Sequence, residues 1–377
     1  MRILLAFGTR PEIIKLGPVY RALRAGGAHV DVFWSGQHVD LAEGLTELFG
    51  IKVTHRCVDV VDEPSLGGKY GSIVKQTAKV LGQGDYDWVI VQGDTATAAG
   101  SATAAFLARV PVAHVEAGLR TGTLDSPWPE EFNRRLITLA STLHFAPTEA
   151  ARQNLIGECV PEERIHVVGN TAVDALLQVR AKIGDTYRPH DTQLANLPQD
   201  KKLVLATLHR RENIGTPLDN ILHALRTLGD DGDKLIVLPV HPNPDIRAQV
   251  FEVLRDAPNV RLLAPLHYTD FVYLLSRAWT VVTDSGGVQE EAPSFGLQIL
   301  IARESTERPE VVEAGFGTLV GSDRDAIIDG VRRLTATPAR QLKKPNNPFG
   351  RGDAACRIAD CIIDRVDGRG YAMQAAE

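Results

Sequence analysis

The stretch VVTDSGGVQEE, residues 281–291, joins a short apolar run to a polar turn that contains two adjacent glycines. A helix-like segment follows the turn, so the stretch predicts a β-strand, a tight turn and a helix start. In such a turn the backbone N–H groups, the Ser285 hydroxyl and the helix dipole converge on one point. The stretch therefore predicts either a cradle for a pyrophosphate or a glycine-containing helix start that Ser285 caps.

Similar short apolar runs alternate with helix-like stretches along the rest of the chain. The others are Ile3–Phe7, Val30–Trp34, Trp88–Val91, Val110–Val115, Ile165–Val168, Leu203–Leu208, Leu235–Val240, Val260–Leu263 and Ile299–Ala302. Apolar runs without polar alternation are typical of strands that are buried on both faces. Helices between such strands predict βαβ crossovers, so we expect an α/β fold with parallel sheets.

The length of the chain predicts two domains. A chain of 377 residues is too long for one hydrophobic core. Apolar patterning is weakest between Gly169 and Lys202, which is the predicted hinge. We expect one Rossmann-like, doubly wound domain over residues 1–170 and a second over residues 186–353. A helix over residues 354–377 is expected to pack back on the first domain.

Charge and composition exclude several classes of protein. The net charge of −6 gives no general attraction to nucleic acid or to an anionic membrane. The first apolar run is too short for a signal-peptide core, and no run approaches the ~20 apolar residues of a membrane span. The four cysteines form no zinc or redox pair motif and are interpreted as structural. We expect a cytoplasmic protein without a metal site.

Two carboxylates stand directly after predicted strands. Asp94 follows the run Trp88–Val91, and Glu116 follows the run Val110–Val115. Ligands of open parallel sheets bind beyond the carboxyl ends of the strands. One such residue, Asp94 in particular, could be a helix N-cap. Two of them on neighbouring strands indicate a binding or catalytic site.

Charged residues also stand at two predicted helix starts. Arg10 and Lys15 follow the first strand, where the helix N-terminus favours anions, although surface charges would explain them equally well. Glu130 and Arg134 are four residues apart and share one face of a helix. They form either an intrahelical ion pair or a general base that a guanidinium keeps ionised.

The second half of the chain carries histidines in the corresponding places. His209 and His241 follow two predicted strands and could donate hydrogen bonds to a phosphate or to a leaving oxygen. Glu291 lies one turn into the helix after the double glycine, where a carboxylate can accept both ribose hydroxyls. Arg308 stands at a further strand–turn–helix junction. No G-x-G-x-x-G turn follows any run, which argues against a bound nicotinamide cofactor.

Taken together, these segments resemble the non-hydrolysing UDP-N-acetylglucosamine 2-epimerase family. The matching segments are GTRPEIIK from Gly8, QGDT from Gln92, HVEAGLRTG from His114, SPWPEEFNRR from Ser126, GNTAVDAL from Gly169, HRREN from His209, HPNP from His241, TDSGGVQEEAPSFG from Thr283 and TERPE from Thr306. Their order holds from residue 1 to about residue 365. The resemblance implies two Rossmann-like domains of the GT-B type with the active site between them, a UDP-sugar substrate, no cofactor and a homodimer.

The resemblance also implies roles for individual residues. Asp94, Glu116 and Glu130 match the essential acidic residues of the family, and Arg134 and His209 match its essential basic residues. The residues that match nucleotide contacts are Arg10, Lys15, His241, Ser285, Gly286 and Gly287 for the phosphates, Glu291 for the ribose and Phe271 beside the uracil, with Arg308 as a further cation. Glu130 or Asp94 is the expected base, and Glu116 the expected electrostatic stabiliser.

The chain departs from the family pattern in a few places. The family usually has His where Gln92 stands, Leu at Pro242 and Lys-Pro at Leu297-Gln298. Many bacterial members also bind a second substrate molecule through a segment of which Gln37 and His38 persist here, whereas the arginine expected near residues 62–68 is missing. We therefore expect weak or absent activation by substrate, and a Michaelian substrate curve.

Chemistry favours elimination over oxidation for such a reaction. The hydrogen on carbon 2 of an N-acetylhexosamine is not acidic, so an enzyme must either oxidise a neighbouring carbon with NAD or expel the group on carbon 1. The sequence has an anion cradle and no dinucleotide motif. Three alternatives stay open: the same chemistry on a modified sugar such as a diacetamido-uronate, a GT-B glycosyltransferase, and a non-catalytic UDP-sugar sensor.

Overall fold

The computed structural model of the chain describes residues 1–36, 43–57, 60, 63–125, 127–336 and 346–365. The chain forms two compact units. Unit 1 comprises Met1–Ala175 together with Phe349–Glu377, and unit 2 comprises Leu176–Pro348. The predicted positions Gln37, His38 and Asp62 lie outside the described residues.

Unit 1 alternates strands with helices. Its strands are β1 (Arg2–Phe7), β2 (His29–Trp34), β3 (His55–Arg56), β4 (Trp88–Gln92), β5 (Val112–Val115), β6 (Leu143–Ala146) and β7 (Ile165–Val167). Its helices are α1 (Arg10–Ala25), α2 (Glu43–Phe49), α3 (Leu66–Leu81), α4 (Ala96–Leu107), α5 (Glu130–Ala140) and α6 (Glu149–Gly157). Helix α7 (Thr171–Ile183) begins in unit 1 and ends in unit 2.

Unit 2 repeats this alternation. Its strands are β8 (Lys202–Thr207), β9 (Lys234–Pro239), β10 (Val260–Leu263), β11 (Thr280–Thr283), β12 (Gln298–Ile301) and β13 (Gly317–Leu319). Its helices are α8 (Thr192–Ala195), α9 (Thr216–Asp230), α10 (Pro244–Leu254), α11 (Tyr268–Arg277), α12 (Gly286–Glu291), α13 (Pro309–Glu313) and α14 (Arg324–Leu334). The chain then returns to unit 1 as α15 (Ala354–Ile363), which packs against α1.

Each unit contains one parallel sheet with a doubly wound strand order. The order is β3-β2-β1-β4-β5-β6-β7 in unit 1 and β10-β9-β8-β11-β12-β13 in unit 2. The predicted α/β fold with two Rossmann-like sheets is thus confirmed. The direction of winding reverses between β1 and β4 and again between β8 and β11. Ligands of such sheets bind beyond the carboxyl ends of the strands at this reversal.

Burial explains why the strands were recognisable. The central strands β1 and β4 are buried along nearly their whole length, and no polar residue interrupts their apolar runs. Strand β5 is equally buried and carries one polar residue within its run, His114. Three strands were not predicted: β3, β6 and β13, which are two, four and three residues long. No helix among the described residues is long and apolar enough to cross a membrane.

Candidate functional site

The loop at the carboxyl end of β4 lies at the reversal point of unit 1. Gly93 has a φ of 72°, a conformation that glycine adopts without strain. His114 Nε2 donates to the Gly93 carbonyl at 2.8 Å, and Asn133 Nδ2 donates to the Asp94 carbonyl at 2.8 Å. Thr95 accepts from the backbone of α4 and caps that helix. The loop that carries Asp94 is therefore held by strand β5 and helix α5 on one side and by its own helix on the other.

His114 is a structural donor and not an acid or base. Its side chain is fully buried on β5, beside His144 of β6. Burial lowers the pKa of His114 to about 3 and that of His144 to about 4. Both imidazoles are therefore neutral near pH 7, and His114 can position the Gly93 carbonyl without adding charge beside Asp94.

Arg134 on α5 pairs with a carboxylate that its sequence spacing did not indicate. Its guanidinium donates to Asp94 Oδ2 and, at 3.2 Å, to Glu131 Oε2. Burial alone would lower the pKa of Arg134, but Asp94 and Glu131 together raise it, so the guanidinium stays charged. The helical spacing had indicated a Glu130–Arg134 pair, and no such pair is present among the described residues. Glu131 takes this place because it lies on the fully buried face of α5.

Glu130 opens α5 with a carboxylate that no cation holds in the described structure. Its Oε2 atom is buried and accepts no hydrogen bond from any described residue. Hydrogen bonds from cations stabilise a carboxylate as an anion and weaken it as a base. Of the three predicted acids, Glu130 is therefore the one with a buried oxygen that accepts no hydrogen bond from the described residues.

Glu116 follows β5 and is held firmly. Its backbone has a φ of 65°, which is uncommon for a residue with a side chain. Lys15 Nζ lies 2.7 Å from both carboxylate oxygens, and the two side chains are only 12% and 7% exposed. Gln92, the last residue of β4, also donates to Glu116 Oε2. Lys15, which the resemblance matched to a phosphate contact, thus pairs with the predicted stabilising carboxylate.

Glu12 on α1 is a site residue that the sequence analysis missed. Its side chain is 1% exposed, and one oxygen accepts from Gly8 N at 3.0 Å and from Thr9 N at 2.8 Å. The other oxygen accepts from Thr95 Oγ1 at 2.7 Å. Glu12 therefore links the loop after β1, which precedes Arg10, to the residue after Asp94. The Thr9–Glu12 spacing is that of a capping box, which was the available signal.

The buried Glu12 carboxyl should make stability depend on pH. Burial raises its pKa from 4.5 to about 7, although its donors favour the ionised form. A raised acid pKa means that the folded state binds the proton more tightly, so stability falls as pH rises from 4.5 to about 7 and is then constant. Relative to Glu12→Gln, wild type should lose about 3 kcal/mol of unfolding free energy over this interval.

Urea unfolding of both proteins at several pH values on either side of this interval would measure the difference. The matched control is Glu163→Gln, which removes an exposed carboxylate and should show no such interval. A difference between wild type and Glu12→Gln that stayed constant with pH would contradict the prediction.

In unit 2 the corresponding loops are organised by Asp284, a second missed residue. It is fully buried immediately after β11, and its carboxylate accepts from the backbone N–H groups of His209 and Arg210 and from Asn213 Nδ2, each at 3.0 Å. The loop after β8 is thereby fixed to the end of β11. Asp284 thus sets the position of His209 at the reversal point of this sheet.

The two predicted histidines of unit 2 lie side by side. The ring centroids of His209 and His241 are 6.0 Å apart. Burial lowers the pKa of both, and the charge of Asp284 opposes this shift. Both rings are therefore neutral hydrogen-bond donors near pH 7, and an anionic ligand beside them would favour their protonation.

The start of α12 is shaped around an arginine. A Cβ atom on Gly286 would lie 2.5 Å from Cζ of Arg308, so only glycine lets the guanidinium lie against this turn. Arg308 Nε donates to Glu290 Oε1 at 2.7 Å, which fixes the guanidinium there. Ser285 occupies the N-cap position, yet its side chain makes no capping hydrogen bond to α12. The alternative that Ser285 serves only as a cap is therefore not supported.

Glu291 lies beside two aromatic rings. Tyr268 donates its hydroxyl hydrogen to Glu291 Oε1 at 2.8 Å, and the Tyr268 and Phe271 rings are stacked with centroids 6.5 Å apart. Tyr268 was not predicted as a site residue, since the sequence analysis named only Phe271 in this segment. The structure thus brings the predicted ribose ligand and the predicted uracil neighbour together through Tyr268.

Metal ligation has no candidate in the described part of the chain. No group of three or more His, Cys, Asp or Glu side chains there is arranged to hold an ion.

Comparison with known proteins finds one family that matches nearly the whole chain. The family model described as "UDP-N-acetylglucosamine 2-epimerase" matches residues 21–363. The chain is 41% identical over 369 residues to the UDP-N-acetylglucosamine 2-epimerase of Escherichia coli (strain K12), covering 96% of this chain and 98% of the relative.

Two solved structures are similar in fold and in sequence. UDP-GlcNAc 2-epimerase from Neisseria meningitidis, bound to UDP-GlcNAc, has a TM-score of 0.88 and 37% identity, covering 97% of this chain and 100% of that chain. The enzyme from Methanocaldococcus jannaschii, in complex with UDP-GlcNAc and UDP, has a TM-score of 0.81 and 33% identity, covering 96% and 99%.

Proposed function

The chain belongs to the UDP-N-acetylglucosamine 2-epimerase family, and from this we propose that it interconverts UDP-N-acetylglucosamine and UDP-N-acetylmannosamine. The observation that carries the proposal is the acid site of unit 1, which consists of Asp94, Glu116 and Glu130 with the cations Lys15 and Arg134. Two of its carboxylates are held by cations, and the third has no cationic partner among the described residues. An enzyme that moves a proton beside a developing positive charge needs this division of roles.

The reaction proceeds by elimination of UDP and its re-addition. As the bond between carbon 1 and the diphosphate oxygen breaks, its electron pair leaves with UDP and positive charge develops on carbon 1. A base removes the proton from carbon 2, and a carbon 1–carbon 2 double bond forms, giving a 2-acetamidoglucal. Return of a proton to the opposite face of carbon 2 and re-addition of UDP to carbon 1 complete the inversion.

The residues of unit 1 divide this work. Glu130 is the base, because its carboxylate has no cation among the described residues. Glu116, held as an anion by Lys15, stabilises the positive charge on carbon 1. Asp94, which pairs with Arg134, either returns a proton to the opposite face of carbon 2 or takes the place of Glu130 as the base.

The residues of unit 2 hold the nucleotide. His209 and His241 donate to the diphosphate, together with Ser285, Gly286 and Gly287 at the start of α12. Arg308 contributes charge at the same turn, Glu291 accepts the ribose hydroxyls and Phe271 borders the uracil. Arg10, at the start of α1 in unit 1, adds a further cation for the phosphates. Binding the departing UDP in this way lowers the barrier to breaking its bond.

A proton NMR time course in heavy water tests the function. UDP-N-acetylglucosamine alone, without an acceptor, should convert to UDP-N-acetylmannosamine with deuterium entering at carbon 2. A glycosyltransferase would need an acceptor, and a sensor would leave the sugar unchanged. Conversion without deuterium at carbon 2 would rule out the elimination route, and a diacetamido-uronate that reacted much faster would identify a modified sugar as the substrate.

An apolar surface on unit 1 supports the proposal of a homodimer. Helices α4 and α5 pack together, and four large apolar side chains on them are exposed: Phe106 by 59%, Leu107 by 72%, Phe132 by 51% and Leu139 by 82%. Exposed apolar side chains that cluster on one surface are typical of protein interfaces.

In a cell the product would supply precursors of surface polysaccharides.

The oligomeric state should therefore depend on this surface. Leu139→Glu would place a charge in the middle of a buried interface, so we expect a monomer where wild type is a dimer. Size-exclusion chromatography with light scattering measures both masses. Leu319→Glu, at an exposed leucine of unit 2, is the matched control and should stay dimeric. A monomeric wild-type protein would contradict the prediction.

A further inference from the structure

Gln92 lies beside the acid site, at the point where the strand order of the unit 1 sheet reverses. It is the last residue of β4, next to β1 on one side and β5 on the other. Its side chain is only 4% exposed, and its amide Nε2 donates to Glu116 Oε2. Residue 92 pairs in the sheet with Val115, the residue before Glu116, so the contact follows directly from the register of the two strands.

We propose that Gln92 is a positioning residue of the reaction, whose amide N–H fixes one oxygen of Glu116 so that this carboxylate stays ionised and correctly aimed at acidic pH. The inference rests on the proposed function and adds a residue to it. The positive charge of Lys15 lies beside both oxygens of Glu116. The amide of Gln92 donates a hydrogen bond to one of these oxygens and so fixes its orientation. Hydrogen bonds to the charged form of an acid favour that form.

The chemical character of an amide suits this position. A glutamine donates a hydrogen bond without carrying charge and without titrating, so its contribution to Glu116 is the same at every pH. A second cation in its place would over-neutralise the carboxylate that has to stabilise positive charge on the sugar. A glutamate would set two carboxylates against each other, and one of them would then bind a proton.

Other titratable groups near this contact also affect the pH profile, and their effect has to be distinguished from that of Gln92. His114 on β5 stays neutral because burial lowers its pKa to about 3. Burial raises the pKa of Glu12 on α1 to about 7, so its titration falls inside the working range. Each variant of Gln92 keeps these groups, and the comparison with wild type cancels their effect. Among the described residues, the charged and titratable side chains on the neighbouring elements include Lys15 and Glu12 on α1, Glu116 after β5, His114 on β5, Asp94 two residues after Gln92 and Arg134 on α5.

Three substitutions separate the donor from the shape of the side chain. Gln92→Met has a similar length and no donor, Gln92→Glu has the same shape and a charge, and Gln92→His retains a ring N–H. For each full-length protein, kcat and KM with UDP-N-acetylglucosamine are measured between about pH 5 and pH 9, and the dissociation constant for UDP and the thermal midpoint are measured separately.

The proposal makes a distinct expectation for each variant. Gln92→Met should lose about 10- to 100-fold in kcat, with KM and UDP affinity within about twofold, because a hydrogen bond to a charged group is lost at the sugar and not at the nucleotide. The acidic limb of its pH profile should move to higher pH. Gln92→Glu should move this limb further, and Gln92→His should restore most of the turnover above neutral pH.

Several results would overturn the proposal. Wild-type turnover with an unshifted acidic limb in Gln92→Met would remove any positioning role, as would a loss of kcat that UDP affinity follows in equal measure. If Gln92→Met does not fold, equal acidic limbs in Gln92→Glu and Gln92→His would decide against the proposal. A wild-type protein that leaves UDP-N-acetylglucosamine unchanged would instead refute the proposed function, so the two failures are distinguishable.

Discussion

Replacing Glu116 by glutamine should lower kcat by about a thousandfold and leave the affinity for UDP nearly unchanged. The substitution keeps the shape of the side chain and removes its negative charge. The carboxylate is nearly buried and directed by Lys15 and Gln92, so it costs no reorganisation when positive charge develops on the sugar. Its loss is therefore felt mainly in the transition state, which lowers kcat more than binding.

The experiment compares steady-state turnover with UDP binding measured by calorimetry. Glu158→Gln is the matched control, because Glu158, which follows α6, also pairs with a cation, Arg120 Nε at 2.7 Å, and is not one of the predicted acids. The control should turn over at a rate close to that of wild type. Normal turnover in Glu116→Gln would show that the charge of this carboxylate takes no part in the reaction.

Replacing Asp94 by asparagine should be the next most damaging change, with a loss of about a hundredfold or more in kcat. Asparagine can still accept one hydrogen bond from Arg134, but it can neither take up a proton nor balance the guanidinium. Arg134 is largely buried, and in the variant Glu131 would remain as its acidic partner among the described residues. The loop itself should keep its shape, since His114 and Asn133 hold it through backbone carbonyls.

A double-mutant cycle tests whether Asp94 and Arg134 act as one unit. We expect Arg134→Met to cost a similar factor and the double variant to cost little more than either single one, because residues in one ion pair are not independent. Asn133→Ala serves as a comparison that loosens the loop without removing charge. Losses in kcat that multiply fully in the double variant would contradict a functional pair.

The sequence indicated several residues of the candidate site because of where they stand in the chain. Asp94 and Glu116 in unit 1 and His209 in unit 2 each follow an apolar run, and within each sheet the carboxyl ends of the parallel strands lie at the same edge. Positions within helices were less informative. The four-residue spacing indicated a Glu130–Arg134 pair, whereas Arg134 contacts Asp94, which is forty residues away in sequence. Local spacing cannot show which distant loop approaches the same helix face.

The residues that support the site escaped prediction for a related reason. Glu12 and Asp284 each have the pattern of an ordinary capping or strand-end residue, and their importance depends on donors from other loops. Gln92 was noted only as a departure from the family pattern, since nothing in the sequence indicates that its amide contacts Glu116. Burial turns these contacts into strong constraints, because an unpaired buried polar group is costly.

The amino-acid sequence by itself determined the α/β class, the two sheets and the strand ends at which the candidate site residues stand, because apolar runs and the turns after them are local properties. Only the tertiary structure decided which cation holds which carboxylate. The sheet order places the carboxyl ends of β1, β4 and β5 side by side, so that Lys15 on α1 reaches Glu116 after β5 and Arg134 on α5 reaches Asp94 after β4. This order comes from the packing of the whole sheet and not from any one segment.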